Sequence, residues 1–126
     1  MESTTRNGIF RHTTRMNIHD LVREMNANVG ATVVQSMAGT KDRTSPHKWA
    51  KPDGPEPRPE VDARLRLGYR VWKTLEIAEG RSVALAWLMG ANPGLEENLP
   101  VLYIQQQRTR EVLGAAEAFV NDVHVS

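Results

Sequence analysis

The run Ala86-Trp87-Leu88-Met89-Gly90-Ala91-Asn92-Pro93-Gly94-Leu95, followed five residues later by Pro100, constrains the fold more than any other part of the chain. A helix carrying Trp87 and Leu88 is expected to end at Gly90, where a residue without Cβ takes the left-handed cap conformation. Asn92-Pro93 then forbids helical continuation. Leu95 and Leu99 are expected to turn back onto whatever the tryptophan packs on. Pro100, with Asn98 as its cap, opens the next helix at a position where its missing N–H costs nothing. Helix, hooked loop, helix is thus written locally, and the segment reads as a partner-binding module.

The rest of the chain is also punctuated as helices. Asn17 is placed to cap a helix from about Ile18 to Asn26, with Ile18, Leu21, Val22 and Met25 on one face. After Gly30, residues Ala31 to Ala38 repeat the pattern with Val33, Val34, Met37 and Ala38, and Gly39-Thr40 closes it. A third helix is expected between Asp42 and Ala50, where Ser45-Pro46 has the form of a cap followed by proline at the first helical position. Trp49 is its inward anchor. Lys51 to Pro59 holds four of the seven prolines and predicts an extended crossing. Beyond it, Val61, Leu65, Tyr69, Trp72 and Leu75 recur at three and four residues. They define a long amphipathic helix with Arg64, Arg66 and Arg70 toward water or a partner. Helices from about Ala78 to Met89, Pro100 to Gln105 and Thr109 to Val120 complete the chain. Nothing alternates at period two for long enough to make a strand, Val123 to Val125 being too short to count.

The expected fold is therefore all-α, a small helix-turn-helix region packed with a C-terminal helical region. Residues 1–16, with Ile9 and Phe10 as their apolar pair, are expected to be a flexible arm, and Met16 offers an alternative start. Residues 17–58 form the helix-turn-helix, and 59–126 the partner-binding and dimerising part.

Charge divides the chain in the same way. Residues 1–70 hold 12 Lys and Arg against 8 Asp and Glu, whereas residues 71–126 hold 4 against 7, although the whole chain has a net charge of only +1. A basic half joined to an acidic one suits a nucleic-acid face coupled to a protein face. Lys41, Arg43, Lys48 and Lys51 surround the hydrogen-bonding side chains Thr44, Ser45 and His47 on the presumed second helix of the motif. That is the arrangement a recognition helix needs, with the first turn reaching base edges and flanking cations meeting phosphates. Lys41, Arg43, Thr44, His47, Lys48 and Lys51 are therefore the candidate contacts to double-stranded DNA. Paired half-sites in turn imply a homodimer.

Catalytic and metal chemistry have no foothold in the residue pattern. The chain has no cysteine, which excludes disulfides, thiolate metal sites and cysteine nucleophiles, and which suits a cytoplasmic location. His12, His19, His47 and His124 lack the i, i+3 or i, i+4 spacing that lets two imidazoles share a metal. Glu96-Glu97 reads as a solvated pair before a helix, and Gln105-Gln106-Gln107 as a polar helix end. There is no glycine-rich phosphate loop and no nucleophile elbow, so no enzymatic activity and no cofactor are expected. No apolar run approaches the roughly 20 residues of a membrane span, and the N-terminus lacks the core of a signal peptide.

Taken together, these pieces resemble the Xre/MbcA/ParS-type antitoxins, which join an N-terminal helix-turn-helix to a C-terminal toxin-binding region. The likeness covers roughly residues 17–122. Ala86-Trp87-Leu88, Asn92-Pro93-x-Leu95, Pro100-x-Leu102 and Val112-Leu113 look like the family's tryptophan-leucine, asparagine, leucine, proline signature. Trp49 closing the recognition helix and the Pro59 to Leu67 entry into a long helix are further points of likeness. The resemblance implies a cognate toxin of the NAD-consuming RES type and repression of the chain's own promoter. The implied partner-binding residues are Trp87, Asn92, Leu95, Pro100, Phe119, Val123, Val125 and Ser126. Three departures stand out. Glu97 occupies the place of the usual glycine before Pro100, the Gly39 to Trp49 connection is about three residues longer, and Ala115-Ala116-Glu117-Ala118-Phe119-Val120 replaces the glycine-ended tail. A stand-alone helix-turn-helix regulator without a toxin, and a protein-interaction adaptor that touches no DNA, are the alternatives the sequence leaves open.

Overall fold

The computed structural model describes residues 2–125, and the side chains of residues 7–122. The fold is all-α: α1 (Glu2–Arg15), α2 (Ile18–Asn28), α3 (Ala31–Ala38), α4 (Ser45–Trp49), α5 (Pro59–Glu79), α6 (Arg81–Met89), α7 (Pro100–Gln105) and α8 (Thr109–Val125), with a 3-10 turn at Pro93–Leu95. Among the described residues the only extended pairing is an isolated bridge between Asn92 and Asn98.

Local chemistry accounts for most of the boundaries. The Asn17 side chain accepts hydrogen bonds from the backbone N–H of His19 (2.9 Å) and Asp20 (3.3 Å), satisfying two of the unpaired donors at the start of α2. Gly39 takes φ 75° and closes α3 by donating to the carbonyls of Gln35 and Ser36. That left-handed geometry penalises any residue with a Cβ. The cap of α4 falls at Thr44, one residue before the expected Ser45, with Pro46 in the first turn. Arg58 precedes α5, whose Pro59 opens it as expected.

Several expectations are corrected. Residues 2–15 form a helix, not a loose arm. Ile9 and Thr13 are buried against α5, and Arg66 of α5 donates to the backbone carbonyls of Thr13 (2.7 Å) and Met16 (2.9 Å). Two carbonyls at a helix end thereby gain a charged donor, which makes α1 part of the packing. Arg64, Arg66 and Arg70 are half-buried and do not simply face water. Arg64 donates to the carbonyl of Ala38 (2.9 Å), and Arg70 stacks over the Phe10 ring, 4.5 Å from its centre. The helix expected from Ala78 instead starts at Arg81, because Gly80, at φ 89°, breaks the chain between α5 and α6. Gly90 is extended (φ −101°) and not left-handed. Leu99, with no side-chain hydrogen bond, caps α7 where Asn98 was expected. Residues 123–125 continue α8 as helix.

One core runs through both regions. Leu21, Val22, Met25, Val34 and Met37 from α2 and α3 join Leu65, Tyr69, Trp72 and Leu75 from α5, and Leu88, Leu95 and Ile104 beyond it. At Gly68 of α5 a Cβ would stand 2.4 Å from Met37 Sδ of α3. The missing Cβ lets the Met37 side chain of α3 seat against the middle of α5.

Candidate nucleic-acid interface

The segment from Gly39 to Gly54 is tied down by hydrogen bonds, although its only regular element has five residues. Asp42 organises the turn that precedes α4. Its Oδ1 accepts from the Thr44 backbone N–H (2.9 Å) and the Thr44 hydroxyl (2.6 Å), while Thr40 Oγ1 accepts from the Asp42 N–H (3.2 Å). The Thr44 hydroxyl, then the Thr44 N–H, hold the Asp42 carboxyl below its ordinary pKa of 3.8. Lys48 Nζ lies 3.8 Å from the same carboxylate, with both side chains about half exposed. Such a pair adds little stability.

Behind α4, three side chains of α2 hold three of its carbonyls. His19 Nδ1 donates to Trp49 O (2.8 Å), Asn26 Nδ2 to Pro46 O (2.9 Å) and Arg23 to Ala50 O (3.1 Å). Carbonyls at the end of a short helix are short of intrahelical donors, and α2 supplies donors there, with Pro46 O accepting from Asn26 in addition to the Ala50 N–H (3.2 Å). Pro46 and Trp49, three residues apart, are buried on the same side. The chain then folds back so tightly that a Cβ on Gly54 would fall 2.1 Å from Lys48 O. With its inner face fixed in this way, α4 turns outward. Lys41, Arg43, Thr44, His47, Lys48 and Lys51 are all exposed on α4 and its flanks.

These six residues were legible as a basic, hydrogen-bonding cluster. The clamp residues His19, Arg23 and Asn26 were not, since their partners lie 20 to 30 residues away. A hint existed in polar residues occupying the otherwise apolar-spaced helix α2. The turn between α3 and α4 spans residues 39–44, longer than the three or four residues of a compact helix-turn-helix.

The second candidate surface is built differently. Trp87, Leu95 and Pro100 are buried, so they hold α6, the hooked loop and α7 together. Asn92 is the organiser of that loop. Its side chain accepts from the Gly94 N–H (2.8 Å), its carbonyl from the N–H groups of Leu95 and Glu97, and its own N–H meets Asn98 O. Tyr103 donates its hydroxyl to Leu95 O at 3.2 Å. Glu96 and Glu97 are forced to φ 55° and 65°, a strained conformation for residues with side chains. Phe119 of α8 is partly buried, its ring 6.4 Å from that of Trp87. The side chains of Val123 and Val125, and all of Ser126, lie outside the described residues. The parts of this module that reach solvent include Ala86, Met89, Ala91, Pro93, Gly94, Leu102 and the Glu96 to Asn98 corner, none of them among the residues expected to bind a partner, while the expected Asn92 is half-buried.

Among the described residues, no three His, Cys, Asp or Glu side chains come together in a way that could hold a metal ion. No helix there is long and apolar enough to cross a membrane. Compared with family models, with curated proteins and with solved structures, the chain matches none.

Proposed function

We propose that this chain is a DNA-binding autoregulator of the antitoxin kind, which reads its own promoter through residues 39–51 and neutralises a toxin through its C-terminal half. The observation that carries the DNA reading is the clamp. Three α2 side chains fix the backbone of α4, and the side chains left outward are cationic or hydrogen-bonding. Binding then costs little ordering of the reading element.

Because α4 is only about 7.5 Å long at 1.5 Å per residue, few base edges come within its reach. The turn residues Arg43 and Thr44 share the base contacts, and phosphate contacts dominate affinity. If Lys41, Arg43, Lys48 and Lys51 all meet phosphates, each copy contributes a slope of about −3.6 to log K against log salt, and a dimer about −7. The toxin half of the proposal rests on the resemblance of residues 86–113 and on the acidic balance of residues 71–126.

The test is fluorescence anisotropy on the upstream region of the chain's own gene between 50 and 200 mM salt. Lys48→Ala should shallow the slope by about 0.9 per copy while leaving sequence preference in place. Absence of DNA binding at about 0.1 M salt removes the reading in favour of a protein-interaction adaptor. DNA binding with no toxin captured on co-expression with the neighbouring gene leaves a stand-alone regulator.

A further inference from the structure

Thr44 sits at the centre of the outward side of α4. It caps the helix with helical backbone angles (φ −86°, ψ −17°), so its direction follows from helical spacing. At about 100° per residue it lies about 170° from the midpoint between the buried Pro46 and Trp49. His47 and Lys48 are each about 130° from that midpoint, one on either side of Thr44. All three are exposed.

Asp42 fixes the state of the Thr44 hydroxyl. A hydroxyl has one hydrogen and two lone pairs, whereas an ionised carboxylate only accepts. The Thr44 hydroxyl therefore gives its hydrogen to Asp42 Oδ1 (2.6 Å), where the Thr44 N–H also donates (2.9 Å). What Oγ1 offers outward is lone pairs alone. The other carboxylate oxygen, Oδ2, lies 3.8 Å from Lys48 Nζ, which offsets the negative charge where a phosphate backbone would approach.

We propose that Thr44 reads an exocyclic amino group, adenine N6 or cytosine N4, in the major groove, with Asp42 as the positioning residue that turns it away from guanine O6 and thymine O4. The inference rests on the DNA reading above and deepens it by fixing which chemical group of a base pair is recognised. In the major groove adenine and cytosine each present an amino donor, whereas guanine and thymine present keto acceptors and no donor. A threonine whose hydroxyl is free serves either, because it can donate or accept. Thr44, its hydrogen committed to Asp42, accepts only. Reversing the base pair opposite it therefore replaces a hydrogen bond by two facing acceptors, and a polar group left unmatched in this way costs more than a contact that is merely absent.

The test selects binding sites for the full chain from random double-stranded DNA and repeats the selection with Thr44→Val, which keeps the shape and removes the acceptor. One base-pair preference should disappear in the variant while the others persist. At that pair, a single methyl group on the adenine or cytosine amine keeps the base pair and replaces the hydrogen that faces the major groove. In fluorescence anisotropy the methylated site should bind the parent chain about fivefold more weakly, and should bind Thr44→Val as well as the unmethylated site does. Asp42→Ala, which releases the hydroxyl hydrogen, should bind both orders of that base pair alike. Preferences that all survive Thr44→Val, a methyl group that weakens parent and variant equally or neither, or an Asp42→Ala chain that keeps the parent's discrimination overturns the inference and leaves DNA binding standing. A parent chain that retains no DNA at about 0.1 M salt overturns the DNA reading and this inference together.

Discussion

Replacing Gly68 by alanine sets two opposed effects against each other, and the structure decides which wins. In the middle of α5, glycine is worse than alanine by about 1 kcal/mol in helix propensity, so the exchange should stabilise an open site by that amount. Gly68 is not open. The new Cβ would lie 2.4 Å from Met37 Sδ, with Met37 Cε and Ile104 Cγ2 at 3.3 and 3.4 Å, and both Met37 and Ile104 are fully buried. The thioether cannot swing into solvent, so α3 and α5 must separate or Met37 must leave its rotamer. Overpacking of this kind costs about 1–3 kcal/mol, and the net change is a destabilisation of roughly 0–2 kcal/mol. Gly114, inside α8 with nothing within 4 Å of its would-be Cβ, is the internal control. Gly114→Ala should stabilise by about 0.5–1 kcal/mol. Urea titration monitored by tryptophan fluorescence measures both, with an expected gap of roughly 0.5–3 kcal/mol between the two variants. Met37→Ala should cost less in the Gly68→Ala background than in the parent chain, giving a coupling of opposite sign to the single effects. If Gly68→Ala is as stable as Gly114→Ala, the close approach of α3 to α5 is wrong, and with it the continuity of the core between the two regions.

Two further predictions concern elements invisible from composition. Arg66→Ala removes the donor that holds Thr13 O and Met16 O and the partner of Asp62, so amide exchange in residues 9–16 should accelerate by tenfold or more while α2 to α4 keep their protection. Unchanged protection would mean that apolar contact alone seats α1. Burial, aided by the nearby Glu24 carboxylate, pushes the Tyr69 phenol well above its ordinary value of 10.0. Its folded pKa being raised, the neutral form is the one the fold favours. This contribution is complete below pH 10 and declines as pH rises through and beyond that value. The urea midpoint should fall between pH 9 and pH 11, and Tyr69→Phe should flatten that fall; an equal fall in the variant would assign it to other groups.

What could be read without tertiary structure was what adjacent residues decide among themselves. Asn17 finds its donors two and three residues ahead, Gly39 closes α3 through carbonyls three and four residues back, and Pro59 and Pro100 open helices because each lacks an N–H. The apolar spacing of α5 and the absence of any period-two stretch likewise led directly to an all-α fold. Trp49 as the buried foot of a short basic helix belongs to the same class, because Pro46 and Trp49 mark its inward side by spacing alone. Tertiary structure decided everything that depended on a distant partner. The N-terminal segment reads as polar and loose, yet Arg66, 50 residues or more away, satisfies its terminal carbonyls and turns it into a packed helix. Gly90, expected to be left-handed, is extended, whereas Gly80, which fell inside the helix expected from Ala78 to Met89, takes φ 89° and separates α5 from α6. The strained Glu96 and Glu97 conformations exist because Asn92 and Asn98 close the loop around them. His19, Arg23 and Asn26 are ordinary helix residues until the fold brings the carbonyls of Trp49, Ala50 and Pro46 within reach. Local hydrogen bonding and steric exclusion are encoded in neighbouring residues, whereas the tasks of buried polar groups are set by whichever backbone the fold delivers to them.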